Sequence, residues 1–118
     1  MRLLIAVITA AAVMLAPAVA SAHAHLDHAS PAVGATVPSA PHDVTIWFTQ
    51  NLEPAFSTVA VTDAAGARVD EGKPRISGST MSIAVKALSP GTYHVHWHAV
   101  SVDTHTTQGD FSFSVGSK

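Results

Sequence analysis

Beyond residue 22, apolar and polar residues alternate with a period of two along most of the chain. Residues 43–49 set Val44, Ile46 and Phe48 against Thr45 and Trp47, and residues 56–62 set Phe56, Thr58 and Ala60 against Ser57, Val59 and Val61. Residues 81–85 place Met81, Ile83 and Val85 on one face, and residues 93–100 place Tyr93, Val95, Trp97 and Ala99 opposite His94, His96, His98 and Val100. In residues 109–115, Phe111, Phe113 and Val115 alternate with Asp110, Ser112 and Ser114. Successive side chains of a strand leave opposite faces, so this period is that of half-buried β-strands. Pro31, Gly34, Pro38, Pro41, Pro54, Gly66, Gly72, Pro74, Gly78, Pro90 and Gly91 punctuate the runs, and no segment carries a convincing helical periodicity. Short strands at this spacing predict an all-β fold, a Greek-key β-sandwich or barrel of about seven strands. The apolar faces form its core, Trp97 among them. Residues 64–78 read as turns or short hairpin strands within the same unit.

Residues 1–22 interrupt that pattern. They carry one charge, Arg2, then an apolar run from Leu3 to Leu15, then Pro17 and small residues ending Ala20-Ser21-Ala22. The run is short for a membrane span of about 20 residues, and the ending is that of a secretory signal peptide. Removal of residues 1–22 leaves residues 23–118 as one β domain, predicted to be exported to the periplasm and to have no stable membrane insertion. Cysteine is absent from the sequence, so no disulfide holds the domain and a hydrophobic core must. Residues 23–118 carry eight acidic and five basic side chains, which offers no basic patch for nucleic acid.

Chemistry enters through the histidines, eight in the sequence. Imidazole is the commonest protein ligand for late first-row metals. His23, His25 and His28 cluster near the processed terminus, His94, His96 and His98 share one strand face, and His105 follows Asp103 by two residues. His42 stands alone as a surface residue. Cleavage after Ala22 would give His23 a free α-amino group, so that amine and imidazole could chelate one ion. A second A-x-A ending, Ala22-His23-Ala24, would expose His25 instead, and with His23 terminal, His25 is the third residue of an X-X-His chelate. Taken alone, Asp103-Thr104-His105 reads first as a surface turn with solvated side chains, although residues i and i+2 of an extended chain leave one face roughly 6.5 Å apart. Joined to the terminus, the pair completes a set of one amine, two imidazoles and a carboxylate. That set suits tetragonal Cu(II), and ligand type alone also admits zinc. No thiolate is present and Met81 is the single methionine beyond residue 22, so a thioether Cu(I) site is not visible. The stripe His94, His96 and His98 reads first as a solvent-facing row, at most a weak secondary site.

Three segments carry a family likeness: Ser-Pro-Ala-Val-Gly at 30–34, Trp-Phe-Thr-Gln-Asn-Leu at 47–52, and the block Gly-Thr-Tyr-His-Val-His-Trp-His-Ala-Val-Ser-Val-Asp-Thr-His-Thr-Thr-Gln-Gly at 91–109. With the processed N-terminal histidine they resemble the CopC family of exported copper-binding proteins, over essentially all of residues 23–118. The resemblance implies a cupredoxin-like Greek-key fold and one Cu(II) per monomer, held by His23 through amine and imidazole, by Asp103 and by His105. It implies copper sequestration or carriage, a CopD-type inner-membrane partner, and no enzymatic activity. Ser101, Thr104 and Thr106 are candidates to support these ligands. Gln50 stands where some members place a further glutamate ligand, and no methionine-rich Cu(I) loop is present. Two other classes share some of these features. A lytic polysaccharide monooxygenase also uses an N-terminal histidine with a second histidine, but 96 residues leave little room for a polysaccharide platform, and Asp103 would fill a position that oxygen needs. An exported immunoglobulin-like interaction module would make the histidines incidental.

Overall fold

The computed structural model describes residues 24–116, which form eight strands: β1 (Leu26–Ser30), β2 (Thr36–Val37), β3 (Asp43–Phe48), β4 (Thr58–Asp63), β5 (Asp70–Ser77), β6 (Thr80–Val85), β7 (Gly91–Val100) and β8 (Thr106–Val115). They make two four-stranded sheets, ordered β1-β3-β6-β5 and β2-β8-β7-β4. The fold is the expected β-sandwich, and among the described residues there is no helix, hence none long and apolar enough to cross a membrane.

Where the alternation predicts about seven strands there are eight, because the two weakest are nearly silent in the pattern. β2 is only two residues long and lies parallel to the end of β8, with Thr36 opposite Ser114 and Val37 opposite Val115. β5 occupies the stretch read as turns or hairpin strands. It pairs with β6 through an irregular register between Glu71 and Arg75, and Gly72 lies there at φ 74°, a conformation glycine adopts without strain.

The inward residues are those the period of two selects. Val44, Ile46 and Phe48 of β3, Met81, Ile83 and Val85 of β6, Tyr93, Val95, Trp97 and Ala99 of β7, and Phe111, Phe113 and Val115 of β8 are all buried between the sheets. On β4 the buried residues are Val59 and Val61, with Ser57 buried just before the strand, and Phe56 is 63% exposed, contrary to its expected place in the core. The reason is local: β4 begins only at Thr58, and Phe56 belongs to a turn in which its N–H donates to the Glu53 carbonyl (3.2 Å). Trp97 packs edge-on against Phe48, with ring centroids 5.1 Å apart. Its indole lies over Gly109, its partner on β8. Any Cβ at position 109 would fall 2.5 Å from the indole Cζ2, so the close approach requires glycine.

One buried carboxylate ties the sheets together. Asp70, at the start of β5, accepts from the Val61 N–H on the outer edge of β4 (2.6 Å) and from Arg68 Nε and Nη2 (2.9 Å each). Its side chain is 5% exposed. Burial pushes its carboxyl up, but the Arg68 and Val61 donors outweigh that and hold it below the ordinary carboxylate range.

Candidate metal centre at one end of the sandwich

β7 and β8 form the longest hairpin, paired from Gly91–Val115 to Val100–Thr106, and its loop carries Asp103 and His105. Taken alone, the sequence reads this pair first as a surface turn, with an extended backbone as the other reading. The structure puts it in a tight turn. The Thr104 N–H donates to the Ser101 carbonyl (2.8 Å), the Ser101 N–H to the His105 carbonyl (2.9 Å), and Thr104 sits at φ 75°. A turn closed by one left-handed residue is a common three-residue hairpin loop. Reversing the chain brings the two side chains toward each other: His105 Nδ1 lies 3.2 Å from Asp103 Oδ1. Two ligands on adjacent positions of one metal, each about 2.0–2.2 Å from it, stand roughly 3 Å apart, so this spacing suits a shared ion.

The loop is braced from both sides. Leu52 bridges Ser101, the Val102 N–H donates to the Asn51 carbonyl (3.1 Å), and the Glu53 N–H donates to the Val100 carbonyl (2.8 Å). Below it, buried Ser57 accepts the Val100 N–H through Oγ (3.0 Å). Ser101 is 1% exposed and its hydroxyl donates to Asp103 Oδ1. That hydroxyl is the main reason the Asp103 carboxyl lies below its ordinary range; desolvation acts the other way, and the His105 ring and N–H assist the lowering. The carboxylate is thus held ionised and aimed, although the side chain is 43% exposed. Thr104 Oγ1 turns back on the Asp103 carbonyl (2.5 Å), and Thr106 is exposed at the start of β8.

His23 lies outside the described residues. The chain is described from Ala24 onward, and Ala24 is fully buried. Its carbonyl accepts a hydrogen bond from Thr107 Oγ1 (2.5 Å), two residues beyond His105 on β8. The next residue, His25, is exposed. Its N–H donates to Thr49 Oγ1 and its carbonyl accepts the Thr49 N–H, both at 2.9 Å. The described N-terminus is thereby held at the same end of the sandwich as the Asp103–His105 loop. Sequence reasoning missed Thr107 and Ala24, because a threonine and an alanine 83 residues apart carry no local signature.

The other histidines stand elsewhere. His28 stacks on Trp47 with ring centroids 4.4 Å apart, its Nδ1 2.6 Å from Asp27 Oδ2. His94 and His96 are exposed and His98 half-buried on the outer face of β7, as the stripe predicts, and His42 is exposed. Met81 is fully buried. Among the described residues no three His, Cys, Asp or Glu side chains converge on one point.

The described residues thus form a small β-sandwich that presents an oriented carboxylate and an imidazole on a loop beside the described N-terminal segment. Residues 26–116 match the CopC domain family, and the chain belongs to that family. The chain is 37% identical over 98 residues to "Protein YobA" of Escherichia coli strain K12, which covers 80% of this chain and 79% of that protein. It is 39% identical over 113 residues to "Copper resistance protein C" of Xanthomonas campestris pv. juglandis, covering 88% of each. The crystal structure of CopC from Methylosinus trichosporium OB3b superposes with a TM-score of 0.76 at 26% identity, covering 80% of this chain and 95% of that one. The family is one of copper-binding and copper-resistance proteins and not of enzymes, which removes the monooxygenase reading.

Proposed function

We propose that this chain is exported to the periplasm, is processed to begin at His23, and holds one Cu(II) through the His23 amine and imidazole, Asp103 and His105. The observation that carries the reading is the clasp between Thr107 Oγ1 and the Ala24 carbonyl. It fixes the residue after His23 beside the strand that leads out of the Asp103–His105 loop. Asp103 Oδ1 and His105 Nδ1 already stand at a spacing that suits one ion. The clasp also favours processing before His23 over processing before His25. A chain beginning at His25 would lose Ala24, and with it a buried core residue and the acceptor for Thr107.

The role is sequestration of copper or its delivery to an inner-membrane partner of CopD type. Val102 of the loop is 53% exposed, as is Phe56 (63%), which precedes the Ser57 that holds Val100, and a delivery partner would cover these apolar side chains.

Mass spectrometry of the exported protein fixes its first residue, and Cu(II) titration of the same sample followed by electron paramagnetic resonance reads the site. The expected result is one nitrogen-rich tetragonal equivalent, weakened strongly by Asp103→Ala, by His105→Ala and by one extra residue ahead of His23. A copper signal indifferent to all three changes refutes the assignment.

A further inference from the structure

On the outer face of the second sheet, His94 and His96 of β7 lie opposite Ser112 and Asp110 of β8. Both are exposed. His96 Nδ1 is 2.8 Å from Asp110 Oδ1, and His94 Nδ1 is 2.8 Å from Ser112 Oγ. A carboxylate oxygen accepts, so the His96 Nδ1 carries a proton, and the tautomer this contact selects presents Nε2 as the lone-pair donor to a metal. A serine hydroxyl can accept from the Nδ1 of His94 in the same way. This is how metal-binding imidazoles are commonly prepared: the outer nitrogen is tied to a carboxylate or hydroxyl, fixing tautomer and ring orientation and raising ligand basicity. Both rings are tied toward the same neighbouring strand. They leave one strand face at positions i and i+2, roughly 6.5 Å apart at the backbone, and imidazoles so placed can lean onto one ion.

We infer that His94 and His96 form a second, weaker Cu(II) site on the open face of the sheet, with water completing its coordination. Cu(II) is the occupant that two imidazoles favour among the divalent first-row ions. The site lacks a third protein ligand, in keeping with the absence of any three-residue cluster among the described residues. It therefore fills after a chelate that includes an amine. His96 lies four residues from the end of β7, roughly 13 Å along the strand from the hairpin loop, so one molecule can hold both ions. A protein with this pair of sites takes up additional copper only when the ion is in excess.

The inference is independent of the assignment at Asp103 and His105, and one titration separates them. The exported chain carrying His25→Gln, which removes X-X-His chelation, is titrated with Cu(II) by calorimetry and electron paramagnetic resonance. It is compared with the same chain carrying Asp103→Ala with His105→Ala, or His94→Gln with His96→Gln. Circular dichroism verifies the fold of each. The expected result is a second, weaker equivalent that persists when Asp103 and His105 are replaced and disappears when His94 and His96 are replaced. Asp110→Asn should weaken that equivalent about 10- to 100-fold without abolishing it. A single equivalent in the His25→Gln chain, or a second one that survives replacement of His94 and His96, overturns the inference. The fate of the stronger equivalent in the Asp103→Ala, His105→Ala chain decides the other assignment separately.

Discussion

Replacing Thr107 with valine tests whether the sandwich positions the terminus proposed to bind copper. Valine keeps the branched shape and removes one atom's function, the hydroxyl that donates to the Ala24 carbonyl at 2.5 Å. A net protein hydrogen bond of this kind is worth about 0.5–1.5 kcal/mol. If its loss lets residues 24 and 25 detach from Thr107 and Thr49, copper bound as proposed must first recapture them, and the apparent affinity falls by the fraction of time the segment is in place. At 1.36 kcal/mol per tenfold, the affinity drops about 2- to 13-fold. If the segment stays instead, the buried Ala24 carbonyl is left without its donor, at a cost of about 1–3 kcal/mol in stability. The two outcomes separate experimentally. Competition titration with a chromophoric Cu(II) chelator gives the affinity, urea unfolding of the copper-free protein gives the stability, and hydrogen exchange at the His25 amide, which donates to Thr49, reports fraying directly. Thr106→Val, at the exposed neighbouring position, serves as the control. Faster exchange at His25 with unchanged copper affinity would refute the claim that the clasp presents the terminus to the metal.

Gly109→Ala drives a Cβ to within 2.5 Å of the Trp97 indole, and the ring has Phe48 at its edge, so overpacking should cost about 1–3 kcal/mol in urea unfolding. Ser101→Ala removes the hydroxyl chiefly responsible for the low Asp103 carboxyl, so that group should titrate at higher pH in a carbon-detected NMR titration of the copper-free protein. Asp70→Ala leaves the Val61 N–H without its acceptor and should destabilise the fold by about 1–3 kcal/mol at pH 7. Because the folded Asp70 carboxyl is depressed, its contribution is complete above an ordinary value of about 3.9 and is lost as pH falls through the folded value, so the gap to Asp70→Ala should narrow below about pH 4. Thr104→Gly relieves a β-branched residue at φ 75° and should raise the unfolding midpoint by the equivalent of about 1 kcal/mol or more.

The strands legible in the sequence are those with one face in the core and one in water. β3, β6, β7 and β8 alternate strictly because each packs between a sheet interior and solvent, and their inward residues are the buried ones. β5 escapes that logic because it is an edge strand. Glu71, Gly72, Lys73 and Arg75 are exposed, so nothing enforces a binary pattern there. β2 is held by two pairs alone, too few for any period to show. Phe56 misleads for a related reason, since alternation extended backward from Val59 cannot show where a strand ends and a turn begins.

The site divides along the same line between local and distant information. Asp103 and His105 can be named from sequence because they are two residues apart, and Ser101 can be suspected because it adjoins them. A turn there could be suspected, but not the approach of the two side chains within it. An extended backbone would leave the two side chains roughly 6.5 Å apart along one face, whereas the turn at Thr104 folds them to 3.2 Å between donor atoms. The left-handed conformation that achieves this is unusual for threonine, and it persists because Asn51, Leu52 and Glu53 pin the loop from the neighbouring segment. Sequence spacing singles out none of those three residues, nor Thr107, yet in the proposed site together they decide whether a carboxylate, an imidazole and a chain terminus can meet at one ion. The proposed ligands are therefore written locally, while their meeting would be written in the topology: β8 leads from His105 to the clasp on Ala24, and β3 is followed by the Thr49 that holds His25.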